Sequence, residues 1–175
     1  MSNISRRSFV GLVTASSTAL AMPSVAFGAK PKVVVIGGGA GGATVAKYIA
    51  KDSRGAIDVT LIEASKSYYS CFYSNLYLGN FRSYESIGHS YDKLSSNHKV
   101  NIIHEWAVSV DATEKKVNLG SGASLPYDKL VISPGIDLKY NSINGYSVEA
   151  QTRIPHAWRS GTQVKVLKDQ VMNMK

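Results

Sequence analysis

The stretch KVVVIGGGAGG, Lys32–Gly42, limits the fold of this chain more than any other. Val33–Ile36 is a short β-branched run, the mark of a parallel strand buried on both faces. It runs straight into Gly37-x-Gly39-x-x-Gly42, and ATVAKYIAK then carries apolar residues at helical spacing. Each glycine has a mechanical task at such a strand-to-helix turn. Gly37 makes the bend, Gly39 lets the backbone approach a pyrophosphate with no Cβ in the way, and Gly42 lets the helix lie close to the strand. The amides at the helix N-terminus then face the phosphate charge. Alone the pattern is weak, because a glycine-rich turn can also serve packing with no ligand. Here a second strand, IDVTLIE, follows and ends at Glu63. That acid stands about twenty residues past the last glycine, where a ribose-binding carboxylate belongs.

The next question is which dinucleotide the turn would hold. A nicotinamide dehydrogenase would continue with another helix and a third parallel strand. Beyond Glu63 the sequence reads instead as a Tyr/Ser/Asn-rich loop followed by KVNIIHEWAVSVD. Val100, Ile102, His104 and Trp106 alternate there with Asn101, Ile103 and Glu105, and Val108 and Val110 extend the alternation to the turn DATEKK. VNL returns as a partner strand, GSGAS makes another turn, and KLVISPG is again a buried strand that ends at Pro134-Gly135. A βαβ start with an inserted antiparallel meander predicts an α/β fold: the Rossmann-like FAD/NAD(P)-binding domain of two-dinucleotide-binding flavoproteins. FAD is the expected cofactor.

The first residues carry a different message. Ser5-Arg6-Arg7-Ser8-Phe9 resembles a twin-arginine export signal, and a mildly apolar run follows from Val10 to Met22. As a helix that run would span about 20 Å, against a hydrocarbon core of about 30 Å, so no membrane anchor is expected. Small residues at Ser24, Ala26 and Gly28 offer a cleavage site, which places the signal at residues 1–29 and the protein in the periplasm. Twin-arginine routes carry folded proteins, often around a cofactor. The formal charge of +8 is scattered along the chain, with Lys115–Lys116 the one adjacent basic pair after Lys30. Scattered charge serves solubility or an acidic partner, and no nucleic acid is expected as a partner.

Against that background the single cysteine of the chain, Cys71 in YYSCFYSN, is unusual, because exported proteins use cysteines in pairs. From spacing alone, an inert buried thiol is the simpler reading. KVVVIGGGAGGATVAKYI, VTLIE, YYSCFYSN, ESIGHSYDKL, YDKLVISPGI and IPHAWRSG together resemble the flavoprotein subunit of flavocytochrome c sulfide dehydrogenase, from about Lys32 to Trp158. The resemblance implies that the Cys71 sulfur is joined to the 8α-methyl of FAD. A thiolate is a strong nucleophile, and such a bond prevents cofactor loss in a compartment without an FAD supply. It further implies sulfide as substrate and a c-type cytochrome subunit as the partner that takes the electrons.

Residue by residue, the same resemblance places Gly37, Gly39, Ala40 and Gly42 at the pyrophosphate and Glu63 at the adenosine ribose. Ala107 and Val108 become a backbone clamp on the adenine edge, and Pro134 and Gly135 a turn against the cofactor. Asn75 either points to the flavin or bonds its own backbone. Tyr68, Tyr69 and Tyr73 either line the flavin pocket or fill the loop. His89, His98, His104 and His156 stand too far apart in sequence for metal-ligand spacing. His156 and Trp158 read as packing at the start of a helix opened by Pro155. Residues 30–150 are then the first segment of the FAD-binding domain, and 151–175 the start of a second nucleotide-binding-like domain. Val164, Leu167, Val171 and Met174 give its helix an apolar stripe in need of a partner. The family's redox-active cysteine pair has no counterpart here, so an N-terminal fragment that is inactive alone is expected. A truncated, non-catalytic dinucleotide module and a relative of the sulfide:quinone oxidoreductases are the other readings.

Overall fold

The computed structural model describes residues 28–174. The segment read as an export signal lies outside them, apart from Gly28 and Ala29. The first half comprises β1 (Lys32–Ile36), α1 (Ala40–Asp52), β2 (Asp58–Ile62), β3 (Ser67–Tyr69), α2 (Ser74–Leu78), β4 (Gly88–Ser90) and α3 (Asp92–His98). The second comprises β5 (Asn101–Ile103), β6 (Ala107–Asp111), β7 (Lys116–Leu119), β8 (Ser124–Pro126), β9 (Lys129–Ile132) and α4 (Thr162–Met172).

Four strands form a parallel sheet in the order β5-β2-β1-β9, with Val33 opposite both Val59 and Lys129. β1 is central, and both faces of the sheet are covered. Val33, Val35, Val59 and Leu61 pack with Ala46 of α1, Tyr91 and Val100 on one face. Val34 and Ile62 pack with Val117 and Leu119 of the antiparallel β6-β7-β8 sheet on the other. This two-sided burial is why the strand reads as an unbroken β-branched run rather than an alternating one. Val35 and Leu61 are fully buried, each stabilising the fold by roughly 1.5–3 kcal/mol relative to exposure.

The structure corrects two sequence expectations here. KVNIIHEWAVSVD is not one alternating strand. Asn101–Ile103 pairs in parallel with β2, the chain leaves the sheet at His104–Trp106, and the meander starts only at Ala107. Ahead of it, Asp92–His98 forms a helix, so the chain does continue with a helix and a third parallel strand. Both were hidden for physical reasons. The helix has seven residues and a single apolar one, Leu94, and stops where Lys99 takes φ +56°. Ile102 and Ile103 are both half-buried, because each sheet face is covered, which erases the alternation of an exposed strand. What sets this topology apart is therefore the meander inserted between the third and fourth parallel strands.

A third departure concerns the C-terminal segment. The helix begins at Thr162 with Gly161 as its N-cap, not at Pro155. A short 3₁₀ turn at Glu149–Thr152 and irregular chain precede it, so His156 and Trp158 stand outside any helix. The apolar stripe finds a partner in part. Val164 is fully buried against Tyr77 and Ile87, while Val171 and Met174 face solvent. α4 thus docks on α2 and the loop after it, and Lys165 and Lys168 lie over the rings of Tyr84 and Tyr77 at 4.5 and 4.4 Å.

Candidate dinucleotide-binding site

The glycine turn lies at the carboxyl end of β1, next to the ends of β2 and β9. Gly37 has φ +95°, and a Cβ there would collide with the backbone carbonyl of Ser133. A Cβ on Gly42 would run into the carbonyl of Gly37. Both glycines are thus required by close backbone approach. Gly39 differs: a Cβ there would make only an ordinary van der Waals contact, with the Tyr68 ring at 3.8 Å, so no backbone closes this position. It is also the N-cap of α1, a helix with no side-chain cap and no acidic residue in its first turn. Amides at an uncapped helix N-terminus beside a Cβ-free backbone fit a diphosphate.

Glu63 reaches back into the turn. Its Oε2 accepts from the Gly38 amide at 2.7 Å, and its Oε1 accepts from the Ser65 amide at 2.8 Å. Two amides fix the carboxylate while lone pairs remain for the hydroxyls of a ribose. His104, placed by sequence on the meander, stands instead behind this acid. Its Nδ1 lies 3.1 Å from the Glu63 carbonyl, and since a carbonyl only accepts, that nitrogen carries the proton.

Tyr91 is the residue that spacing rules do not find. It is 5% exposed and donates its hydroxyl to the Gly38 carbonyl at 2.9 Å, across 53 positions of sequence. Burial, with Glu63 nearby as the lesser cause, pushes this hydroxyl well above the ordinary tyrosine range. It is therefore a permanent donor. A Cβ on Gly38 would meet Tyr91 Oη at 2.5 Å and Glu63 Cγ at 2.8 Å, so Gly38 is boxed in by the two residues that hold it.

The remaining candidates fall into place around this centre. β3 and β4 form a small antiparallel pair after β2, with Tyr68 opposite His89. Tyr68 lies against Gly39, and burial raises its hydroxyl, helped by the neighbouring Cys71 and opposed by Ser70 and the Ala40 backbone. Cys71 opens a single 3₁₀ turn after that strand, half-buried and in no disulfide. Tyr69 turns the other way and stacks on Tyr84 at 4.6 Å, and Tyr73 is covered by Arg82 at 4.8 Å. Asn75 adopts the local alternative: its Oδ1 accepts from the Leu76 amide at 2.9 Å.

Ala107 is half-buried in the second core, whereas Val108 is 63% exposed at a bulge where the β6–β7 register shifts. The bulge takes Val108 out of the ladder. Pro134 lies beside Gly37, and Gly135 takes φ +81° with open space around it.

Two other clefts share no lining residue with the glycine turn. An apolar one of about 490 Å³ is lined by Leu138, Ile143, Tyr146, Ile154, His156 and Trp158. His156 Nε2 lies 3.0 Å from Gln151 Oε1, its Nδ1 is buried without a partner, and burial followed by Arg159 lowers its pKa. A basic cleft of about 360 Å³ gathers Lys30, Lys51, Arg54, His98 and Lys99 at the opposite end of α1 and α3. Positive charge there complements two helix C-termini.

This geometry defines a dinucleotide-binding α/β protein of the flavoprotein oxidoreductase class. Residues 31–171 match the family model "Pyridine nucleotide-disulphide oxidoreductase", and the chain belongs to that family. It is 30% identical over 117 residues to the type II NADH:quinone oxidoreductase of Staphylococcus haemolyticus, a match covering 66% of this chain and 29% of that protein. Over 44 residues it is 48% identical to the sulfide dehydrogenase [flavocytochrome c] flavoprotein chain of Chlorobaculum thiosulfatiphilum, covering 25% of this chain and 90% of that sequence. Among solved structures it resembles the sulfide:quinone oxidoreductase of Aquifex aeolicus, with TM-score 0.63 and 26% identity over 82% of this chain and 33% of that one. A NAD-dependent persulfide reductase from A. fulgidus shares the fold, with TM-score 0.66 and 24% identity over 79% of this chain. The chain thus spans about a third or less of the quinone oxidoreductases it matches.

Proposed function

We propose that this chain is the FAD-binding part of a periplasmic sulfide dehydrogenase that passes electrons from sulfide through a covalent flavin to a c-type cytochrome subunit. The observation that carries the reading is the position of Cys71. The thiol sits in the 3₁₀ turn just past Tyr68, and Tyr68 itself lies against Gly39 of the glycine turn. The 48% identity to a sulfide dehydrogenase flavoprotein chain supports it.

In this reading FAD, when bound, supplies the two-electron carrier. The residues of the chain hold it. The amides from Gly39 to Gly42 face the diphosphate, and Glu63 accepts from the ribose hydroxyls. Cys71 would hold the flavin through its sulfur, so that the cofactor is not lost from the exported protein. Cys71 is the single cysteine of these 175 residues, so they hold no thiol pair of their own to accept sulfur.

The test is denaturing electrophoresis of the exported protein under ultraviolet light. Flavin fluorescence migrating with the polypeptide, and lost in Cys71→Ser, is expected. Colour stripped by acid from the wild type would overturn the covalent reading. A quinone acceptor is the second reading, favoured by the likeness to the Aquifex aeolicus enzyme. Sulfide-driven reduction of a soluble quinone, with none of cytochrome c, would decide for it.

A further inference from the structure

We propose that Tyr91 is a positioning residue for the dinucleotide: its buried hydroxyl latches the Gly38–Gly39 peptide so that the Gly39 amide faces the diphosphate. The inference rests on the dinucleotide reading above.

The geometry of one peptide unit carries it. The described residues contain no cis peptide bond, so the Gly38 carbonyl and the Gly39 N–H lie in one plane and point in opposite directions. The carbonyl points at Tyr91 Oη, 2.9 Å away. The Gly39 amide therefore points away from Tyr91. The preceding unit is fixed in the same manner from its other end. Glu63 takes the Gly38 amide at 2.7 Å, which turns the Gly37 carbonyl the opposite way, toward Gly42. Two side chains thus set the dipoles of two successive peptides.

Such a latch is needed because the units it holds are flanked by glycines. Without a Cβ on either side, a peptide can rotate as a body into conformations closed to other residues. A rotated Gly38–Gly39 unit would present a carbonyl to the phosphate where an amide is required. Tyr91 opposes the rotation on two counts. Its hydroxyl is a permanent donor, and its ring is held among Val33, Val35, Leu61 and Val100, so the donor stays in place. No side chain within the turn can do this, since the turn must stay bare to let the phosphates approach.

The experiment compares wild type, Tyr91→Phe and Val164→Ala in the full chain purified from riboflavin-starved cells, with ADP as the probe in calorimetric titration. Tyr91→Phe keeps the ring and removes the donor, leaving a buried carbonyl unpaired, so ADP affinity falls about tenfold. Val164→Ala lowers the unfolding midpoint from a separate core cluster and leaves ADP affinity unchanged, which separates the latch from general destabilisation. Equal ADP affinity in wild type and Tyr91→Phe overturns the latch while leaving the dinucleotide reading intact. No ADP binding by wild type overturns both. A second measurement needs no variant: the Gly39 amide of the ligand-free wild type gives one sharp resonance if the unit is latched. Exchange broadening, or two resonances that collapse to one on adding ADP, overturns it.

Discussion

Gly42 lies so close to the carbonyl of Gly37 that no methyl group fits between them. The first turn of α1 therefore rests directly on the end of β1, and the helix axis is set by backbone against backbone. Gly42→Ala must move the helix or distort the turn. We expect a loss of about 1–3 kcal/mol by urea unfolding, typical of overpacking, together with weakened nucleotide binding. An unchanged midpoint would show that the helix is free to shift.

Glu63 accepts from two amides at once. Glu63→Gln keeps the shape but turns one acceptor into a donor facing a backbone N–H. One amide loses its partner, at a cost of roughly 1–3 kcal/mol if it is the buried Gly38 amide and less if it is the exposed Ser65 amide. Chemical denaturation reads that cost, and a fall in ADP affinity is expected if Glu63 accepts from the ribose as proposed. A variant as stable as wild type would mean that water replaces the carboxylate.

Val164 is the buried anchor of α4 against Tyr77 and Ile87. Val164→Ala leaves a void there, and a loss of roughly 1–3 kcal/mol is expected, smaller than for deletion of a whole Leu. Hydrogen exchange should quicken in residues 162–172 before it does in β1 or β2.

His156 gives stability a pH dependence. Burial, with Arg159 as the lesser cause, lowers its folded pKa below the ordinary value of 6.5. Above that value the ring is neutral in both states and contributes nothing to the dependence. Below it the unfolded chain binds the proton first, so stability falls with falling pH until the folded ring also protonates. The urea midpoint of wild type should therefore decline on acidification below about pH 6.5, and that of His156→Gln should decline less. Parallel profiles for the two proteins would remove His156 as the cause.

Legibility differed along the chain according to how local the cause is. The glycine turn, α1 and Glu63 are written in one contiguous stretch, because bend, cradle and acid all act within a single βαβ unit. The helix Asp92–His98 and strand Asn101–Ile103 were hidden, since seven residues with one apolar side chain carry no helical period. Tyr91 was hidden for a different reason. Its partner, Gly38, is 53 positions away, and no spacing rule links a tyrosine before one helix to a carbonyl before another. Pro155 misled because proline marks where a helix is permitted to begin, whereas Gly161 and Thr162 decide where this one does.

The β3–β4 pair and the turn bearing Cys71 leave the parallel sheet after β2 and are back at α3 and β5 before the meander starts. Everything between residues 64 and 90 is thus an excursion between two fixed posts, while the glycine turn is held from outside it by β1, α1, Glu63, Tyr91 and Ser133. Such an arrangement is modular. With Cys71 as the proposed tether, exchanging this detour for one that lacks the cysteine would turn a tethered coenzyme into a freely exchanging one while β1, α1 and Glu63 stay as they were.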